Sequence, residues 1–172
     1  MLVIMAGLPA TGKSTLARAL ANCVRGAVLD KDIIRAALFA AEDVEYNAVQ
    51  DDFVMELMLQ TAQYLLDKDA GRVVFLDGRT FSRAYRRQRA IDFADTVRTP
   101  CRIIECVCTE AIAKRRLAAD ERAGRHPAAN RTVHLYESVR SIYEPISPPK
   151  TVIDTGKPLE PCVRAGLAGI RV

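Results

Sequence analysis

Tryptophan is missing from the 172 residues, and aromatic residues together supply only 6% of them. Proteins that grip single-stranded nucleic acid stack its bases on aromatic rings, so this supply argues against a long strand as the main ligand. The five cysteines, Cys23, Cys101, Cys106, Cys108 and Cys162, form an odd, scattered set. They give no disulfide framework, and a reducing cytoplasm is the expectation. Cys106 and Cys108 share one face of a strand-like run, but no second Cys or His pair lies at zinc-like spacing, which argues against a zinc centre. No apolar stretch approaches the ~20 residues of a membrane span. No basic region precedes the short apolar run at the N-terminus, so a secretory signal is not expected. Repeats and low-complexity tracts are absent too.

Apolar residues make up 49% and charged residues 27% of the chain, close to the soluble average, which excludes bulk disorder. The length suits one domain over residues 1–172, with enough chain to bury a core unaided. The net charge of +4 says less than its distribution. Acids dominate 42–69, with Lys68 the only base, whereas bases dominate 79–98 and again 114–131. Most of these charges read as solvated helix faces. The two basic segments gain meaning only where a motif independently places phosphate beside them.

Short apolar runs at 2–6, 27–30, 73–77, 102–108 and 151–154 alternate with helical patterns at 13–24, 31–40, about 47–68, 82–95, 110–123, 132–144 and 161–170. Five strands alternating with helices predict an α/β fold of three layers, α/β/α, with a parallel sheet covered on both faces. Right-handed crossovers set the loops after the strands along one edge, where ligands bind. Three polar clusters fall there: after Ala6, at Asp30–Asp32 and at Asp77–Arg79. Met55, Leu57, Met58 and Leu59 read as core, with a dimer interface as the alternative, and the oligomeric state stays open.

The strongest motif is GLPATGKS, Gly7 to Ser14, which fits G-x-x-x-x-G-K-[ST] between a strand and a helix. Gly7 and Gly12 allow backbone angles that strain other residues. The loop, with Leu8, Pro9, Ala10 and Thr11 between them, can then turn its N–H groups inward as an anion nest at a helix N-terminus. Lys13 can reach the β- and γ-phosphates, Ser14 can ligate Mg²⁺, and Thr15 is suited to the α-phosphate. No N/T-K-x-D guanine-reading motif is present, and the chain is too short for a large ATPase machine. Asp77, at the end of VVFLD, can hold Mg²⁺-bound water or an acceptor, and Gly78 after it allows close backbone approach.

GLPATGKSTLA, LDKDIIR, VVFLDGRT and RRLAADERAGRHP, in this order, resemble the small P-loop kinases over nearly the whole chain. That family includes gluconate kinase, chloramphenicol phosphotransferase, zeta-type toxins and the kinase domain of polynucleotide kinase, and its ATP-binding domain is described as AAA-type. The resemblance implies a five-stranded parallel sheet with a helical lid, here about 116–131, and ATP and Mg²⁺ as cofactors. It implies that Asp32 of D-x-x-R is the base toward a hydroxyl, and that Arg35, one turn on, binds the acceptor. Asp30 is the alternative base, and an N-cap role is the alternative for Asp32. Arg79 is set between an acceptor anion and a surface salt bridge. The chain has Arg79-Thr80-Phe81 where nucleoside monophosphate kinases continue with phenylalanine, proline and arginine, which argues against that acceptor.

In the lid the resemblance makes Arg122 and Arg125 the candidates for γ-phosphate charge, with Arg116 next, unless Arg116 pairs with Asp120 at i+4. His126 reads as lid surface. Asp154 and Thr155 lie where the family wraps adenine, with a structural turn as the alternative. The expected partner is a small-molecule hydroxyl acceptor. A 5′-hydroxyl nucleic acid end is the runner-up, with Phe81 and Tyr85 its only obvious stacking residues, which core packing explains equally well, and the 42–69 acids set against it. A toxin acting on a sugar nucleotide is a further variant, and a non-catalytic nucleotide switch is the rival from another class. No membrane partner is expected.

Overall fold

Apolar side chains on both faces of a strand require cover on both sides, and the chain supplies it with helices between successive strands. The computed structural model describes residues 1–123 and 132–171. Its strands are β1 (Leu2–Ala6), β2 (Gly26–Asp30), β3 (Val73–Asp77), β4 (Cys101–Val107) and β5 (Thr151–Asp154). They form one parallel sheet in the order β2-β3-β1-β4-β5. Between and after them lie α1 (Lys13–Cys23), α2 (Lys31–Leu38), α3 (Ala48–Lys68), α4 (Ala84–Thr96), α5 (Glu110–Ala123), α6 (Val133–Ser141) and α7 (Leu159–Arg171).

Alternation along β1 divides the core. Leu2, Ile4 and Ala6 pack with Val54, Met58 and Ala62 of α3 and Ala90 and Ala94 of α4. Val3 and Met5 pack with Leu16 and Leu20 of α1 and Cys162 and Ile170 of α7. Met55, Met58 and Leu59 belong to the α3 side of the core, while Leu57 is only half-buried. A third cluster, Ala10, Ala113, Leu117 and Tyr136, seats α5 and α6 beside the loop after β1. Glu105 of β4 accepts from Lys150 Nζ at 2.6 Å and Tyr143 Oη at 3.1 Å, which satisfies a nearly buried carboxylate.

Among the boundaries that differ from the sequence reading, three bear on the site. The fourth helix starts at Ala84, not 82, because residues 79–83 form an irregular connection. Phe81 sits there at φ 51°, buried, so it is core and not a stacking platform. The Arg87 guanidinium pins the connection through the carbonyls of Phe81 (2.8 Å), Glu144 (3.3 Å) and Pro145 (3.2 Å). The last helix starts at Leu159, which places Pro161 in its first turn, where a missing N–H removes no helix bond. α6 ends at Ser141, short of 144.

Order β2-β3-β1 brings three strand ends together. Asp30 and Asp77 lie opposite each other in the β2–β3 ladder. The loop after β1 follows on the next strand, at the point where the chain reverses its direction of build across the sheet.

Candidate active site

The phosphate loop is held open by its own backbone. Gly7 has φ 137°, and a Cβ there would stand 2.3 Å from the carbonyl oxygen of Cys106. Ala10 adopts φ 60°, an uncommon angle for a residue with a side chain. Lys13 Nζ donates to the carbonyls of Gly7 (2.9 Å) and Leu8 (2.7 Å), curling over the loop. Thr155, after β5, donates its hydroxyl to Thr11 O at 2.7 Å and Val107 O at 3.1 Å. Arg116 of α5 donates to Ala10 O (3.2 Å) and Thr155 O (2.7 Å). These bonds tie Arg116 to the phosphate loop and the β5–α7 turn, where the sequence offered Asp120 as its partner. A pocket of about 390 Å³ opens on this side, lined among others by Gly12, Thr15, Leu16, Arg116, Thr155, Leu159 and Cys162. Asp154 is outside that lining, and its carboxylate accepts from Gly156 N–H at 2.9 Å, closing the turn.

Asp77 is fully buried, and neither of its carboxylate oxygens has a hydrogen-bond partner. Burial pushes its pKa up; the Ser14 hydroxyl and the Lys13 ammonium offset part of this, and the Asp30 carboxylate adds to it. An orphaned buried carboxylate beside a serine hydroxyl is a donor set that a hard cation and its waters complete. Among the described residues no group of three or more His, Cys, Asp or Glu side chains forms a cage. That pattern fits Mg²⁺, which takes one or two protein oxygens and draws the rest from water and phosphate.

A cleft of about 710 Å³ opens on the other side of the phosphate loop. Lys13, Ser14, Thr15, Asp30, Asp32, Arg35 and Arg79 all line it. So do Tyr46, Asn47, Ala48 and Asp51 from the start of α3 and Thr80, Ser82 and Arg86 near α4. Leu135, Val139 and Ile142 supply an apolar stretch.

Asp30 caps α2. Its Oδ1 accepts from the N–H groups of Asp32 (3.1 Å) and Ile33 (3.5 Å), and its Oδ2 pairs with Arg18 at 3.1 Å. The capping role weighed for Asp32 therefore belongs to Asp30. Asp32 instead extends into the cleft, with Arg35 Nη1 at 3.5 Å and Lys31 Nζ at 3.7 Å from its Oδ1.

Two residues unassigned by the sequence reading, Lys31 and Asp51, complete this wall around Arg35 and Arg79. Lys31 is buried and donates to Asp51 Oδ1 at 2.7 Å. Arg35, also buried, bonds the same oxygen and lies over the Tyr46 ring at 5.4 Å. Arg79 is buried and pairs at 2.8 Å with Asp52, whose own side chain is 41% exposed. Burial pushes the pKa of Asp51 up, but Lys31, Arg35 and Arg79 outweigh it and hold the carboxyl below the usual range. The acids that seemed to repel a strand are thus largely neutralised here; Glu56 likewise pairs with Arg89 at 2.6 Å. The usable signal was that a short link makes α2 and α3 neighbours, setting early α3 acids against D-x-x-R.

Arg122 stands exposed near the end of α5, its Nε donating to Ala118 O at 3.1 Å, and does not line the cleft; Asp120 and Ala123 do. Arg125, His126 and Arg131, with the second half of the proposed lid, lie outside the described residues. No helix among those described is long and apolar enough to cross a membrane.

The fold and site define a class: a phosphate-binding loop on an α/β/α sheet of the P-loop kinase type. The chain matches the AAA domain family over residues 2–145 and belongs to it. No curated protein matches it significantly. Among solved structures it is similar to the APS kinase CysC of Mycobacterium tuberculosis in complex with AMPPNP and APS, at 18% identity, TM-score 0.74, covering 99% of this chain and 97% of that one. It is similar to Kti12 of Chaetomium thermophilum in complex with ADP-AlF3, at 18% identity and TM-score 0.75, with 99% and 97% covered. A gluconokinase from Sinorhizobium meliloti 1021 has 16% identity and TM-score 0.66, with 99% and 90% covered. At such identities the likeness establishes the fold, and one fold hosts many acceptors.

Proposed function

We propose that the protein is an ATP- and Mg²⁺-dependent phosphotransferase that moves the γ-phosphate to a hydroxyl of a small molecule in the cytoplasm, acting as a single domain. The observation that carries this reading is that Lys13 and Ser14 line the same cleft as the Asp32 carboxylate. The phosphate loop would bind the β- and γ-phosphates through its N–H groups, with Lys13 leaving the Gly7 and Leu8 carbonyls for phosphate oxygens. Ser14 and Asp77 would hold Mg²⁺, which supplies charge neutralisation at the phosphates when bound. Asp32 is the base, because Asp30 spends its oxygens on the α2 cap and Arg18. A carboxylate set between Lys31 and Arg35 can take the hydroxyl proton as the oxygen attacks. Arg122 and Arg125 would reach the γ-phosphate by closure, and Thr155 and Arg116 would border the adenine.

The runner-up acceptor is a 5′-hydroxyl polynucleotide, favoured by Tyr85, which is 62% exposed beside Arg86 of the cleft. The test is incubation with Mg²⁺, γ-labelled ATP and a panel of small hydroxyl compounds plus a 5′-hydroxyl oligonucleotide, with Asp32→Asn beside the unmodified protein. The expected result is label on a small molecule and loss of transfer, but not of ATP binding, in the variant. Label on the oligonucleotide alone moves the acceptor to nucleic acid. ATP binding without transfer to any member leaves a nucleotide-binding switch.

A further inference from the structure

Resting on the phosphotransferase reading, we propose that the acceptor carries one anionic group besides its reacting hydroxyl, a carboxylate or a phosphate monoester, gripped by the Arg86 guanidinium. The charge inventory of the cleft leads there. Arg18 is paired with Asp30, Arg35 with Asp51 and Asp32, and Arg79 with Asp52. Lys31 is paired with Asp51. Arg86 is the cleft arginine that has no carboxylate partner among the described residues.

Its geometry is that of a prepared donor. Arg86 Nε donates to Tyr85 Oη at 2.9 Å, and the guanidinium lies 5.5 Å from the Tyr85 ring centroid. That anchor fixes the group's orientation and leaves the Nη1 and Nη2 edge without a partner among the described residues. Two parallel N–H donors on one edge match the two oxygens of a carboxylate or phosphate. Arg79, in the same cleft wall and only 5% exposed, keeps a buried Nε–H with no acceptor, a second unspent donor.

The same inventory sets where the anion lies along the acceptor. Beside Asp32 the wall is closed: Lys31 and Arg35 both hold Asp51. An anion entering there would have to displace a carboxylate already bonded to two buried cations. The acceptor's charged group is therefore remote from the hydroxyl that Asp32 deprotonates, with the neutral part of the molecule between them.

Full-length protein with Mg²⁺ and AMPPNP is titrated calorimetrically with matched acids and neutral twins: ribonate against ribitol, ribose 5-phosphate against ribose, and a nucleoside 3′-monophosphate against its nucleoside. At least one acid is expected to bind about ten- to hundredfold more tightly than its twin, the range of a charge-assisted bidentate bond. Arg86→Gln should erase that preference, Arg86→Lys should keep part of it, and Tyr85→Phe should weaken it several-fold. Carboxylate and phosphate members separate the two anion types. The proposal is overturned if no acid shows Arg86-dependent binding, if acids and twins bind alike, or if a 5′-hydroxyl oligonucleotide outcompetes every acid. A parallel transfer assay with labelled ATP separates the two failures. A neutral twin phosphorylated as efficiently as its acid sinks the anion site and leaves the phosphotransferase standing. Arg86-dependent binding with no transfer supports the anion site and removes the phosphotransferase. Where transfer occurs, Arg86→Gln should raise KM more than it lowers kcat.

Discussion

Replacing Asp51 by asparagine should destabilise the protein even though Asp51 was not among the expected functional residues. Its carboxylate bonds both Lys31 and Arg35, whose side chains are only 9% and 3% exposed. Removing one member of a buried ion pair strands the other, at a typical cost of about 3–5 kcal/mol. Two features bring the expectation down. Asp51 itself keeps 19% of its side-chain exposure, and Asp32 remains 3.5 Å and 3.7 Å from the two cations. A loss of about 2–3 kcal/mol follows, which for a chain of this size lowers Tm by roughly 5–10 °C.

The pH dependence fixes the cause. Asp51 has a folded pKa below its unfolded value, so its stabilisation is complete above the ordinary carboxylate range and fades as pH falls through the depressed pKa. Urea unfolding of the unmodified protein and Asp51→Asn should therefore show a constant gap from about pH 5 to pH 8, narrowing below about pH 4. The gap should survive added salt, because buried pairs are poorly screened. A variant within about 0.5 kcal/mol of the unmodified protein, or a gap that closes in salt, would refute the buried-cluster reasoning.

Asp77→Asn should act the other way on the metal-free protein, raising stability by about 1–2 kcal/mol because it removes an orphaned buried charge, while Mg²⁺-dependent transfer disappears; a lower Tm without metal would contradict this. Thr155→Val keeps the shape but deletes the bond to Thr11 O, and should cost about 1 kcal/mol and weaken nucleotide binding several-fold by calorimetry. Gly78→Ala puts a Cβ 2.6 Å from the Lys31 backbone nitrogen at φ 80°, so it should displace the start of α2 and cost about 2–4 kcal/mol, whereas Gly71→Ala, which meets only the Asp69 side chain at 3.3 Å, should change stability little. Burial pushes the Cys106 thiol up to about 12, so a thiol reagent at pH 8 should label exposed Cys23 and spare Cys106 until the protein unfolds, a contrast that mass spectrometry reads directly.

Strand–helix alternation was legible because each strand is a short apolar run bounded by a turn, and burial on both faces leaves that signature in the residues themselves. The phosphate loop was legible for a local reason as well: eight consecutive residues carry it. Pairing across elements was not. Asp30 and Asp32 both precede a helix and both fit a cap, and only the register that sets Asp30 opposite Asp77 turns Asp30 toward the backbone and Arg18 while leaving Asp32 for the cleft. Phe81 read equally as a stacking ring beside arginines or as core; a left-handed backbone turn sends it into the core, and no side-chain pattern announces such a turn at a phenylalanine.

The cleft charges carry this furthest. Along the chain, 42–69 looks acidic and 79–98 basic, two like-signed blocks with opposite tastes in ligand. Folding sets them against each other, so Asp52 and Glu56 pair with Arg79 and Arg89, while Asp51 takes both Lys31 and Arg35 from α2. What an acceptor meets is the remainder after cancellation. That remainder is the quantity that selects a ligand, and it exists only once the helices are packed. It is also why Arg35, the residue the D-x-x-R pattern offers first for an acceptor anion, is already engaged, while Arg86, which no motif marks, keeps two donors for the ligand.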